Sequence, residues 1–172
     1  AVVGSNVRSL EAAAQKAREL GYTPLILTSL LQGEAREAGT VLGGIARDLR
    51  RAGHGFDCLL AGGETTVTVR GEGRGGRSQE LAASASRLLE GVPGVALLAA
   101  GTDGTDGPTE AAGALVDCGT LARAMAAGVS LEAALASSDT LRFHQAAGSL
   151  LATGPTHTNV GDLVVLVHAP GS

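Results

Sequence analysis

Val95-Ala96-Leu97-Leu98-Ala99-Ala100 is an unbroken apolar run, and Gly101-Thr102-Asp103-Gly104-Thr105-Asp106-Gly107-Pro108-Thr109 follows it directly. Six residues are short for a helix and suit a strand buried on both faces. The glycines and aspartates behind it end the strand in a turn-rich loop. The same pattern recurs on both sides. Residues 57–61 read as another short strand ending in Gly62-Gly63, and residues 24–28 as a third. Residues 111–116, 150–153 and 163–168 read as further strands toward the end of the chain.

Helical spacing fills the intervals. After Asn6, a candidate N-cap, Val7, Leu10, Ala14, Ala17 and Leu20 fall on one face, and Gly21 is a natural stop. Residues 34–52 place Val41, Leu42, Ile45, Ala46 and Leu49 together, although Gly39, Gly43 and Gly44 weaken that helix or divide it. Ser78 is the expected N-cap of the next helix, whose inward residues are Leu81, Ala82, Ala85, Leu88 and Leu89. Residues 121–127 read as helix, and Ser130 and Asp139 as N-caps of two short ones. Alternating strands and helices with short links predict an α/β fold with a largely parallel sheet flanked by helices. Residues 65–70 alternate Thr and Val and predict an antiparallel hairpin on that sheet. The opening Ala1-Val2-Val3 reads as the end of a strand, so we expect the chain to be a piece of a longer one.

Composition narrows the function. The chain has 172 residues, 44% hydrophobic and 17% charged, a balance that favours a packed core over disorder. A net charge of -4 and three aromatic residues argue against a nucleic-acid partner, which would call for basic grips and stacking platforms. No apolar run reaches the roughly 20 residues that span a bilayer, so no membrane partner is expected and the predicted location is cytoplasmic. Cys58 and Cys118 stand far apart among apolar residues and read as buried free thiols.

Four glycine-rich loops follow apparent strands, which is where open α/β sheets bind ligands. Gly71-Glu72-Gly73-Arg74-Gly75-Gly76-Arg77 precedes a helix. Backbone amides of Gly75 and Gly76, the helix dipole and the forked donors of Arg74 and Arg77 suit an anion. A tight turn with solvated arginines reads equally well. Asp103 and Asp106 put two carboxylates on an exposed loop, hard oxygen ligands of the kind Mg²⁺ takes alongside substrate phosphates, or else the makers of Asx turns. Glu64 either contacts a ligand or caps a turn. Thr156, Thr158 and Asn159 offer neutral donors and acceptors, with His157 among them as a loop residue. A Walker A loop, a dinucleotide fingerprint with its acidic partner and a serine elbow are all missing from the sequence.

Gly62-Gly63-Glu64-Thr65-Thr66, Gly73-Arg74-Gly75-Gly76-Arg77-Ser78-Gln79-Glu80, Gly101 through Gly113, and Thr153-Gly154-Pro155-Thr156-His157-Thr158-Asn159-Val160 stand in that order. Together they resemble the MOFRL-type glycerate kinases, some of which carry a hydroxypyruvate reductase name. The resemblance implies that residues 58–172 are a MOFRL domain. It implies that residues 1–57 are the last part of a Rossmann-like N-terminal domain whose remainder is missing. It further implies an active site between the two domains, a lysine from the missing half, and transfer from ATP with Mg²⁺ to D-glycerate, giving 2-phosphoglycerate. On that reading Arg77 holds the glycerate carboxylate or the transferring phosphoryl group, with Arg74 as a second candidate. Asp103 and Asp106 hold Mg²⁺ or orient the hydroxyl, while Glu64, Gly75, Gly76, Thr156, Thr158 and Asn159 bind substrate or phosphate. The piece alone is expected to have negligible turnover. NADH-dependent reduction of hydroxypyruvate and a non-catalytic ligand-binding domain are the alternative readings. Where the family usually has Asn and Gly, this chain has Ser78 and His157.

Overall fold

The computed structural model describes residues 5–50 and 55–169. In chain order the elements are α1 (Asn6–Glu19), β1 (Pro24–Leu31), α2 (Ala35–Asp48), β2 (Cys58–Gly63), α3 (Arg77–Leu89), β3 (Val95–Gly101), β4 (Gly113–Asp117), α4 (Thr120–Ala126), α5 (Leu131–Ser137), α6 (Thr140–Ala147), β5 (Leu150–Leu151) and β6 (Asp162–His168). The strand expected at residues 1–3 lies outside the described residues, as does Ala52, the expected end of the second helix. Ser5, not Asn6, caps α1, its hydroxyl accepting from the Arg8 amide at 3.4 Å.

The α/β layering with flanking helices is as the sequence predicts, but the strand sense needs correction. Among the described residues the sheet runs β1-β2-β6-β3-β4-β5, and of its strand pairs only β1–β2 is parallel. The physical reason is one insertion and one return. β1, β2 and β3 do share a direction, as helical crossovers require. β6 lies antiparallel between β2 and β3, and β4 returns against β3. The hairpin expected at residues 65–70 does not form. Thr66 makes a single parallel bridge to Glu34, and the amides of Thr68 and Arg70 donate to the side chains of Glu34 and Ser138 instead of to a strand.

Period-2 alternation sorts the strands between two faces. Leu59, Ala61, Leu97, Ala99, Val164 and Leu166 join α2 and α3 in the main core. Cys58 and Leu60 point to Leu10 and Ala14 of α1. Leu59, Leu81, Leu89, Leu97 and Leu166 are each at most 2% exposed, and each such burial stabilises by about 1.5–3 kcal/mol. Phe143 and Leu131 anchor a smaller cluster of α4, α5 and α6. Gly39 does not break α2: a Cβ there would lie 2.2 Å from the Leu81 carbonyl oxygen, so the glycine permits close packing on α3. Both cysteines are free thiols; Cys58 is buried and Cys118 half-buried. Leu25, Ile26, Leu27 and Leu30 of edge strand β1 are exposed. No helix among the described residues is long and apolar enough to cross a membrane.

Candidate active site

The insertion of β6 sets the site. Asp162, its first residue, registers against Gly63 at the end of β2 and Gly101 at the end of β3. Two strand ends and one strand start thus meet at a single carboxylate. Arg77, the first residue of α3, reaches it with two hydrogen bonds: Nε donates to Oδ2 at 2.6 Å and Nη2 to Oδ1 at 3.0 Å. Glu64, just beyond β2, takes the remaining side of the guanidinium, 2.9 Å from Nη1. The hydrogen bonds that Arg77 donates to Asp162 raise its pKa against the opposing effect of burial. Burial pushes the Asp162 carboxyl upward, and Arg77 counters it. Arg77 carries five N–H donors; three are engaged, leaving one on each Nη for an incoming anion. From α1, Asn6 Nδ2 donates to the carbonyls of Val160 and Asp162, both at 3.0 Å, steadying the start of β6.

Arg77 and Glu64 open onto a cleft of about 670 Å³, a size typical of small-ligand sites. Val67, Val69 and Pro108 give it an apolar wall, and Thr65, Thr140 and Glu80 add polar groups. Glu80 is 1% exposed and ion-paired with Arg36 of α2, which sits 2.8 Å away. Burial raises its carboxyl above the ordinary range, with Arg36 pulling the other way.

Of the residues singled out in the sequence, Arg77, Glu64, Gly75 and Gly76 line this cleft together. The glycines, however, chiefly accommodate protein. A Cβ on Gly76 would lie 2.3 Å from Asp106 Cγ, and one on Gly75 2.1 Å from Thr140 Oγ1. Arg74 is turned aside, its Nη2 donating to the Pro108 carbonyl at 2.7 Å.

Asp106 is not on an exposed loop, as expected, but buried beneath the start of α3. Its two oxygens accept from the Ser78 and Gln79 amides at 3.0 and 2.8 Å. The anion at this helix N-terminus is therefore a side chain of the protein itself. Burial raises its pKa, with those amides opposing. Gly76 is the N-cap residue in place of Ser78, whose Oγ is buried without a partner among the described residues.

Asp103, Thr156, Thr158 and Asn159 do not line the cleft. They form an adjoining lip in which the Thr156 amide donates to the Asp103 carbonyl at 3.1 Å and Thr156 Oγ1 donates to the Thr102 carbonyl. Asn159 Oδ1 accepts from Gly161 at 3.3 Å, and Thr158 is exposed. His157 holds φ at 59°, a left-handed conformation in which glycine is at ease. Asp103 keeps one oxygen on the Thr105 amide at 3.0 Å and acts electrostatically on Asp162. No three His, Cys, Asp or Glu side chains among the described residues converge to hold a metal. A divalent ion shared with a bound phosphate needs only one or two carboxylates, and Asp103, on an open lip, fits that arrangement.

Sequence reasoning passed over Asp162 and Glu80. Asp162 begins a strand far along the chain, and only the β6 insertion brings it to Arg77. Glu80 had a legible signal, being three residues beyond Arg77 and so on the same helical face.

The family model described as the MOFRL family matches residues 57–162. A crystal structure of a glycerate kinase from Thermotoga maritima superposes with a TM-score of 0.93 at 42% identity, covering 96% of this chain and 41% of that one. A glycerate 2-kinase from Pyrococcus horikoshii is 40% identical over 170 residues, spanning 96% of this chain and 38% of its own length. A protein from Agrobacterium vitis that carries a hydroxypyruvate reductase name is 44% identical over 160 residues, spanning 90% of this chain and 36% of its own. The chain thus spans about two fifths of the relatives it matches.

Proposed function

This chain belongs to the MOFRL family, and we propose that it supplies one wall of the active site of a kinase that phosphorylates the 2-hydroxyl of D-glycerate with ATP. The observation that carries this reading is the Arg77 guanidinium, fixed by Asp162 yet keeping two donors toward a cleft of about 670 Å³. Phosphoryl transfer depends on positioning and on neutralising the charge of the transferring group. A guanidinium whose angle is already set loses little entropy when it takes a carboxylate or phosphate.

The apolar wall of Val67, Val69 and Pro108 suits an aromatic base, and the donor set of Arg77 suits phosphate oxygens. Mg²⁺, when bound, neutralises phosphate charge; Asp103 is the residue we assign to it. Thr156, Thr158 and Asn159, on the same lip, are assigned to substrate or phosphate oxygens. Glu64 has no donor to offer an anion. We assign it the place an incoming anion takes, its side chain being 67% exposed and easily displaced. We assign the rest of the relatives' length to the opposite wall, as an N-terminal domain. The exposed Leu25, Leu27 and Leu30 on edge strand β1 support that contact.

The test is ADP release by the full-length protein with ATP, Mg²⁺ and D-glycerate. Glycerate-dependent ADP is the expected result. Oxidation of NADH by hydroxypyruvate without it would overturn the kinase reading in favour of the reductase.

A further inference from the structure

Resting on that reading, we propose that Glu80 accepts the hydroxyl proton of the substrate, making it a catalytic residue alongside Arg77. Three observations lead to it. Glu80 lines the cleft although its residue is 1% exposed, so it forms part of the floor and is not a solvated side chain. Arg36 binds only one of its oxygens: Nε and Nη2 reach Oε1 at 2.9 and 2.8 Å. Oε2 has no protein partner among the described residues, and it is not one of the buried unpartnered atoms. Arg36 is itself held, donating through Nη2 to the Leu135 carbonyl at 3.2 Å, so Glu80 is fixed from three helices.

The pairing then points to a class of ligand. Arg77 and Glu80 are one helical turn apart on the same face of α3, and both line the one cleft. A donor for an anion and an acceptor for an O–H in one cleft suit an acid that also bears a hydroxyl. In the transfer, the hydroxyl oxygen forms a bond to the γ-phosphorus of ATP. The bond from that phosphorus to the bridging oxygen breaks, its electron pair leaving on ADP. The hydroxyl proton passes to Glu80 Oε2. The charged groups acting on Glu80 are Arg36 and Glu34 at the start of α2 and Arg70 of the preceding loop; burial raises its carboxyl, and Arg36 opposes that rise.

The test crosses three proteins with three ligands. The full-length wild type, Glu80→Gln and Glu80→Asp are titrated calorimetrically with D-glycerate, D-lactate, which lacks the 3-hydroxyl, and 3-hydroxypropanoate, which lacks the 2-hydroxyl. In the wild type, removing the 2-hydroxyl should weaken binding about tenfold more than it does in either variant. Turnover of Glu80→Gln should fall by about 100-fold with KM for ATP within about threefold. A structural role would weaken all three ligands alike, and an equal 2-hydroxyl penalty in all three proteins overturns the proposal. Glu80→Asp keeps the charge facing Arg36, so it decides the matter if Glu80→Gln does not fold. A wild type that binds glycerate with the expected 2-hydroxyl penalty but releases no ADP would sink the kinase reading and the proton transfer with it, leaving Glu80 only as a hydrogen-bond acceptor for the hydroxyl.

Discussion

Arg77 and Asp162 stand 85 residues apart in sequence and meet through two hydrogen bonds of 2.6 and 3.0 Å, a bidentate pair in which the carboxylate fixes the angle of the guanidinium. Planar pairs of this kind add direction as well as energy. On the proposed kinase reading, Asp162→Asn in the full-length protein should therefore lower kcat/KM for D-glycerate by about 10- to 100-fold, because Arg77 loses its orientation. Arg77→Ala should cost more. Arg87→Ala should change little, since Arg87 lies further along the same helix in an exposed pair with Glu132. Steady-state kinetics of the three variants check the order; normal turnover by Arg77→Ala would remove it from the machinery.

Asp106 offers a sharp choice between two roles. As a helix cap it satisfies two amides at once, so Asp106→Asn should destabilise the fold by about 1–2 kcal/mol in urea unfolding. The Mg²⁺ concentration for half-maximal activity should stay unchanged. Were the carboxylate a metal ligand instead, the variant would keep its stability and demand more Mg²⁺.

The sequence made the local elements legible because their signals are local. The apolar run at residues 95–100 and the helical spacing behind Ser78 needed no partner to be read, and Arg77 stood out through its glycine-rich loop. Strand sense was not legible, because nothing near Asp162 says that its strand slides between β2 and β3. Asp106 was misread for a related reason. A carboxylate in a glycine-rich loop looks exposed until α3, nearly 30 residues earlier in the chain, is laid on top of it. Glycine carries a similar ambiguity: Gly75 and Gly76 read as backbone amides for an anion, while the space their missing Cβ atoms leave goes to Thr140 and Asp106.

Two glycines of α2 separate packing from propensity. A Cβ at Gly39 would lie 2.2 Å from the Leu81 carbonyl oxygen, whereas one at Gly44 meets nothing within 4 Å. Gly39→Ala should force α2 away from α3 and destabilise by about 1–3 kcal/mol. Gly44→Ala adds a better helix former in open space and should stabilise by about 0.5–1 kcal/mol. Thermal unfolding of the pair gives opposite signs on this account; equal shifts would mean that the α2–α3 contact does not set the spacing.

His144 makes stability depend on acid. The ring is fully buried, with Nε2 2.8 Å from the Gln79 carbonyl and Nδ1 2.7 Å from Ser149 Oγ. A carbonyl only accepts, so Nε2 carries the hydrogen and Nδ1 accepts from the serine. Burial pushes its pKa down from 6.5 to about 4. Above pH 6.5 neither the folded nor the unfolded chain protonates it. As pH falls from 6.5 toward 4, the unfolded chain takes up a proton that the folded one refuses, and stability is lost. The gap corresponds to on the order of 3 kcal/mol by pH 4. The buried carboxylates Glu80, Asp106 and Asp162, raised by burial, act in the opposite sense. They are common to wild type and His144→Gln, so their contribution cancels in the difference. The stability of the wild type relative to His144→Gln should therefore decline by about 2–3 kcal/mol between pH 7 and pH 4.5. Urea titrations of both proteins across that range measure it, and a difference that stays flat would show that the ring takes up its proton as readily in the fold as in the unfolded chain.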